Sequence, residues 1–309
     1  MSARTSLPQS LLWALLGAAF SIEGCDDSLK SVSLIEEARV LGARVEVESD
    51  PTRSSPQPGE RATLRLFVAA PNEPARLSYA ISTCAVSPVN TGFPDCAAAP
   101  FASVLRADPT TSPPELGFQV PADLDLSATP DGFAQAFVCA AGSLKVDENG
   151  LRSCTDGVGT EVNFEFDLGG PDLENHSPSI TAGALTLDGE PWPATDSAAA
   201  CSGELPTVNA GSEHTLAITL QDADFESLPQ TTSLEPGRES LLVSQFSTAG
   251  KLSHAFVSLK PDTPLGDREV TWEAPSASSG ATTLVRFYFV VRDARGGEDF
   301  ATRALCVGP

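Results

Sequence analysis

The sequence predicts an all-β protein: two tandem antiparallel β-sandwich domains following a signal peptide and a short tether. Three observations predict it. The apolar residues, 41% of the 309, fall in short blocks, several alternating apolar and polar with the two-residue period of a half-buried strand. Pro (25) and Gly (24) recur between the blocks as turn signals. No stretch sustains a helical period. The chain is long enough for two domains of roughly 130 residues each, and the polar string Gly169-Gly170-Pro171-Asp172-Leu173-Glu174-Asn175-His176-Ser177-Pro178 marks the break. The expected organisation is a signal peptide over 1–24, a tether over 25–37, a first sandwich over 38–170, a linker over 171–178 and a second sandwich over 179–309.

At the N-terminus, the apolar run Leu11–Phe20 is shorter than the roughly 20 residues that a spanning helix needs. It has the length of a signal-peptide h-region. The string Ile22-Glu23-Gly24-Cys25 resembles the lipobox of bacterial lipoproteins. That resemblance implies that Cys25 is acylated and becomes the mature N-terminus, leaving an exported protein held to a membrane by its acyl chains. Each buried methylene of those chains contributes about 0.8 kcal/mol. The expected location is a Gram-negative envelope, with the outer membrane favoured over the inner, a choice that Asp26 after the Cys leaves open. The alternative is ordinary signal-peptide cleavage with Cys25 left as a thiol. A tether of about a dozen residues keeps the first sandwich within roughly 45 Å of the bilayer, with the second reaching farther out.

In the first half, strands are expected at Val40–Glu48, Ala62–Ala69, Arg76–Thr83, Leu116–Val120, Phe133–Ala140 and Glu161–Leu168. Along 62–69, Leu64, Leu66 and Val68 share a face; along 161–168, Val162, Phe164, Phe166 and Leu168 do. Pro58-Gly59-Glu60 is a turn before the second strand. In the second half, strands are expected at Ser179–Leu187, Glu213–Gln221, Ser240–Phe246, His254–Leu259, Arg268–Glu273, Thr283–Asp293 and Phe300–Val307. The last two form a hairpin around Ala294-Arg295-Gly296-Gly297.

Seven Cys are present. Setting Cys25 aside leaves Cys84, Cys96, Cys139, Cys154, Cys201 and Cys306, an even set such as a disulfide-bonded exported protein carries. No pair has the CxxC spacing of a zinc or redox site. Local spacing favours Cys84–Cys96 and Cys139–Cys154, which leaves Cys201–Cys306; six Cys permit other connectivities.

The formal net charge of −22 repels nucleic acid and anionic head groups, so no nucleic-acid partner is expected. The histidines are His176 in the linker, and His214 and His254 at strand starts; each reads as a surface polar residue. No HExxH, GxSxG, Walker A or GxGxxG motif is present. No catalytic residue is predicted, and the chain is read as not an enzyme; a triad assembled from residues distant in sequence would leave no such trace. No metal or other cofactor is predicted either. Calcium is a secondary reading on Asp222, Asp224 and Asp293, because Ca²⁺ takes carboxylates from converging loops. The leading reading of these three is solvated turn residues.

Several strings resemble bacterial immunoglobulin-like and PKD-like modules: Val208-Asn209-Ala210-Gly211-Ser212 before a strand, Leu220-Gln221-Asp222-Ala223-Asp224 after it, and Val290-Val291-Arg292-Asp293-Ala294-Arg295-Gly296-Gly297 near the end. The resemblance implies immunoglobulin-like sandwiches and no particular activity. The first half, with Arg39-Val40-Leu41-Gly42-Ala43-Arg44-Val45 and Leu77–Cys84, also resembles lipoproteins of social, gliding Gram-negative bacteria. The function expected is a non-catalytic, membrane-anchored binding or scaffolding subunit of a cell-envelope or surface assembly. Its partners would be envelope or surface proteins, with contacts on the loops around 84–96 and 139–154. The alternatives are a carbohydrate-binding or adhesion module, for which Trp192 and Trp272 stand apart in sequence, and a hydrolase accessory domain.

Overall fold

The alternation along residues 62–69 sets two faces of one strand to two different tasks. In the computed structural model, Ala62, Leu64 and Leu66 enter one hydrophobic core, while Phe67 and Ala69 enter another. The structure describes residues 31–72, 75–87, 96–97, 99–127, 131–170, 174–194, 200–228, 237–263, 268–276 and 282–309. The signal peptide, Cys25 and the first part of the tether lie outside the described residues, as do 171–173 of the linker.

The first sandwich is built from β1 (Arg39–Val47), β2 (Arg61–Ala69), β3 (Leu77–Ala85), β4 (Ala102–Thr110), β5 (Glu115–Gln119), β6 (Asp131–Val146) and β7 (Arg152–Asp167). One sheet has the order β1-β2-β5, the other β4-β3-β6-β7, and all neighbours are antiparallel. Leu64, Tyr79, Ile81, Phe118, Ala136 and Phe166 fill the space between them. Alternation predicts six of these strands. It misses β4, most of whose side chains are exposed, so no buried face marks it. It also ends β6 and starts β7 too near the sheet. Both run 16 residues, and the stretch between Ala140 and Glu161, expected as a loop, is mostly a two-stranded arm. Bulges after Cys139 and Ala141 let the pairing continue past the end of β3.

The second sandwich is built from β8 (Leu185–Leu187), β9 (Glu190–Pro191), β10 (Thr207–Asn209), β11 (Glu213–Ile218), β12 (Leu241–Ser247), β13 (Lys251–Leu252), β14 (Phe256–Leu259), β15 (Glu269–Glu273), β16 (Thr283–Arg292) and β17 (Glu298–Gly308). Its sheets run β10-β17-β16-β12-β14 and β13-β15-β11-β8-β9, and the β10–β17 pair is parallel. Trp192 and Trp272 are both buried. They meet Phe287 edge-on at 5.0 and 4.9 Å, and each indole N–H donates to a backbone carbonyl, of Ala304 and Ala249 respectively. The long strand expected over Ser179–Leu187 shrinks to Leu185–Leu187. A turn, with Gly183 at φ +85°, precedes it, and the N–H groups of Ser179 and Ile180 donate to the carboxylates of Asp224 and Asp299 instead of to a strand.

The outer face of β1–β2 packs on the outer face of β12–β16–β17. Ile35, Leu41, Ala69, Tyr288 and Val290 are buried there, and Phe67 stacks on Phe300 at 4.4 Å. The Tyr288 hydroxyl donates to the carbonyl of Ala70 at 2.6 Å. The tether ends on the second sandwich, since Ile35 N donates to Ser247 O and Ser247 N to Ser33 O. Linker residues 174–177 run along 52–54 of the first sandwich, where Ser54 N donates to Asn175 O and Ser177 N to Thr52 O. Residues 32–309 thus form one compact unit.

The three disulfides are Cys84–Cys96, Cys139–Cys154 and Cys201–Cys306, the pairs that local spacing favours. Such bonds persist in oxidising, exported environments. Cys139 lies within β6 and Cys154 within β7, so this bond staples the base of the arm rather than a loop.

Candidate functional site

Three features draw chemistry together: a charged junction between the sandwiches, the β6–β7 arm, and a hydrogen-bonded histidine at the start of β11.

The junction is organised by the β16–β17 turn. Asp293 is buried, and its Oδ1 accepts the N–H groups of Arg295 and Gly297 at 2.7 and 2.9 Å. Its Oδ2 accepts the Asn175 side-chain amide at 2.9 Å. A Cβ on Gly297 would collide with this carboxylate. Arg295 ties the junction together, reaching Asp167 at 3.0 Å, Glu239 at 2.7 Å and Glu226 at 3.6 Å. Glu226 also pairs with His176 of the linker at 2.7 Å. Next along, the Glu298 carboxylate accepts from Arg292 Nε at 2.7 Å and from Ala43 N at 2.9 Å. Arg292 also donates to Leu41 O and to Ser244 Oγ. Glu298 occupies the space that a side chain on Gly42 would fill.

Burial dominates the electrostatics here. It pushes the Asp293 carboxyl up to about 7, against the Arg295 N–H and the Asn175 amide, and Glu239 pushes the same way. It pushes Glu298 up to about 7 against the pull of Arg292. Glu239 and Asp167 are also raised, each by burial and each opposed by Arg295. Beside the junction lies a cleft of about 330 Å³ lined by Ala43, Val45, Phe164, Arg292 and Glu298 among others. The junction holds the two sandwiches in one relation through ionisable groups.

The arm carries Val146, Leu151 and Val158 on its surface, 47%, 70% and 88% exposed. It is fixed at its base by Cys139–Cys154, by Leu144 packed against Ala80 and by Ser78 Oγ donating to Gly142 O. The loop that follows Cys84 lies largely outside the described residues.

At the start of β11, both imidazole nitrogens of His214 are engaged. Nδ1 lies 2.6 Å from Asp188 Oδ2, and Nε2 lies 2.6 Å from Ser212 Oγ. Burial works against ionisation of Asp188, but hydrogen bonds from His214 and from Thr215 N outweigh it and hold the carboxyl below its usual range. The sequence reading passes over this set because Asp188 lies 26 residues before His214. The available signal is Leu187-Asp188-Gly189-Glu190, an Asp-Gly hairpin turn between β formers.

The calcium residues are engaged otherwise. Asp222 is exposed and paired with Arg238, whose hydrogen bond holds its carboxyl below the usual range. Asp224 accepts from Ser179 N and Gln221 N, and burial raises it. Asp293 accepts the three donors above. Among the described residues no group of three or more His, Cys, Asp or Glu side chains is placed to hold a metal ion. Trp192 and Trp272 lie in the core and not on a binding face. His254 is exposed just before β14.

No protein-family model matches the chain, and no curated protein does. Slight similarities to solved structures exist. A nucleoside hydrolase-related hypothetical protein from Saccharophagus degradans, associated with carbohydrate metabolism, is 14% identical with a TM-score of 0.26, over 44% of this chain and 26% of that one. The two tandem V-type regions of VCBP3, a v-region-containing chitin binding protein, are 8% identical with a TM-score of 0.27, over 89% of this chain and 100% of theirs. Salmonella alpha-2-macroglobulin reacted with methylamine is 9% identical with a TM-score of 0.21, over 89% of this chain and 15% of that one. The chain thus spans about a quarter of the first of these. Likenesses this slight carry no functional information.

Proposed function

We propose that this chain is an exported lipoprotein, acylated at Cys25, that serves as a binding and scaffolding subunit of a Gram-negative cell-envelope or surface assembly. The observation that carries the reading is the β6–β7 arm. It presents Val146, Leu151 and Val158 to solvent on a backbone stapled by Cys139–Cys154. A surface already ordered loses less conformational freedom on binding, and the exposed side chains spaced along the arm, from Val158 near its base to Val146 and Leu151 near its tip, offer a partner apolar contacts. The partner is an envelope or surface protein. The lipid anchor would act through a short leash. Because the tether docks at Ser33 onto Ser247, eight residue steps separate that point from Cys25, at most about 29 Å.

Crosslinking in intact cells, followed by extraction and affinity capture of the full chain, tests the binding role. The unaltered chain should recover a specific envelope protein, and a Leu151→Asp, Val158→Asp variant should lose it. Equal recovery by both, or recovery of nothing specific by either, overturns the reading. Intact-mass analysis of the extracted protein tests the anchor. A chain that begins at Cys25 and carries acyl mass supports it, and a lipid-free mass rules it out.

A further inference from the structure

We propose that Ser212, His214 and Asp188 form an acyl-transfer centre that hydrolyses small carboxylic esters. This activity goes beyond the scaffolding role and does not depend on it.

The geometry begins with the β8–β9 turn. Asp188 and Gly189 have φ of +53° and +84°, and Leu187 pairs with Glu190 across them. Positive φ at both central residues is the type I′ hairpin turn, which favours Asp-Gly. The turn is clipped to β11 by two bonds of 2.8 Å, Asp188 N to Thr215 O and Thr215 N to Asp188 Oδ1. Oδ2 is therefore fixed, and it faces His214 Nδ1. Ser212 closes a turn from Asn209 and His214 is the second residue of β11, and their side chains meet at 2.6 Å. The imidazole rests against the ring of Trp272, its partner on β15, at 6.1 Å. Nucleophile, base and orienting carboxylate thus stand in the order that acyl transfer requires, with both pairs within hydrogen-bond distance.

The proton has two places to go. Ser212 Oγ lies 2.6 Å from His214 Nε2 and 2.5 Å from Asn209 O. In the observed geometry the hydroxyl donates its one proton to Asn209 O. With Nδ1–H donated to Asp188, neutral His214 presents Nε2 as an acceptor, and for reaction the serine proton must turn from Asn209 O to it. When Nε2 is protonated it donates to Oγ, and the serine proton stays on Asn209 O. The neutral imidazole is the competent state.

In the reaction, Oγ attacks the ester carbonyl carbon as its proton passes to Nε2. The C–O bond to the alcohol breaks, and the alkoxide leaves with that proton. Water, deprotonated by the same nitrogen, then attacks the acyl-serine, releasing the carboxylic acid and restoring Ser212. The balance is ester plus water to acid plus alcohol. Asp188 is a positioning residue that selects the tautomer. The side chain of Asp188 is 49% exposed and that of His214 13%, and Ser212 is half-buried, so solvent reaches the centre mainly from its carboxylate end. Glu190, exposed beside the turn that carries Asp188, disfavours anionic esters relative to neutral or cationic ones.

The test uses the full oxidised chain with an alkyl fluorophosphonate and with p-nitrophenyl acetate. One phosphonyl adduct should form and map to Ser212. Ser212→Ala should abolish the adduct and cut hydrolysis by about 100-fold or more, as should His214→Gln. Asp188→Asn should lower kcat with KM unchanged, and an anionic acyl ester should react more slowly than the acetate. No adduct on the unaltered chain overturns the proposal, and that measurement stands even where a variant fails to fold. Hydrolysis that survives Ser212→Ala also overturns it, because the imidazole would then be acting alone.

Discussion

Replacing Glu298 by Gln removes a charge while keeping a group of the same shape between Arg292 and the N–H of Ala43. The carboxyl is pushed up to about 7 in the folded chain by burial, and its side chain is 10% exposed. In the unfolded chain it returns to about 4.5. Between these values the unfolded chain ionises first, so raising the pH favours unfolding. The contribution is fully present below about 4.5, is lost through about 7 and is flat above. Each pKa unit corresponds to about 1.4 kcal/mol, so from pH 5 to pH 8 this one group removes roughly 2.5 kcal/mol of stability. Urea unfolding of both chains at the two pH values isolates it, because every other titrating group is common to both. The unaltered chain should lose roughly 2.5 kcal/mol more than Glu298→Gln over that interval. A variant less stable by the same several kcal/mol at both pH values would refute the reasoning. It would mean that Glu298 stays ionised throughout and that its pair with Arg292 outweighs its burial.

Tyr288→Phe deletes one oxygen at the junction and leaves the buried Ala70 carbonyl without its 2.6 Å donor, so calorimetry should show a loss of about 1–3 kcal/mol. Trp272→Ala empties the centre of the second core, where the ring is fully buried; chemical denaturation should register about 3–5 kcal/mol. Replacing Cys139 and Cys154 together by Ala opens a loop of 15 residues and should cost about 3 kcal/mol, read as a lower thermal midpoint with the far-ultraviolet β signal retained.

What was legible from the chain follows from what has a local period. Strands such as β2, β7 and β16 are buried on one face or both, and each residue's neighbours two positions away record that. β4 has little buried face to record, and the arm interrupts its period with bulges after Cys139 and Ala141. The expected strand from Ser179 failed because its first N–H groups found carboxylates, from Asp224 and Asp299, before they found a sheet.

The all-β class, most strand positions and an even Cys set whose nearest pairings are the ones formed can be read along the chain. Each depends on composition or on residues a few places apart. Packing at long range is what lays the linker against the first sandwich, joins Asp167 to Glu239 through Arg295, fills the gap left by Gly42 with Glu298, and brings Asp188, His214 and Ser212 into one hydrogen-bonded row. The contacts between the sandwiches cross as many as 255 residues, and the Asp188–His214 bond crosses 26. No window of alternation holds such information. Which carboxylate meets which guanidinium or imidazole depends on how sheets twist and stack, and the low dielectric that raises Asp293 and Glu298 exists only after the two sandwiches have closed on each other.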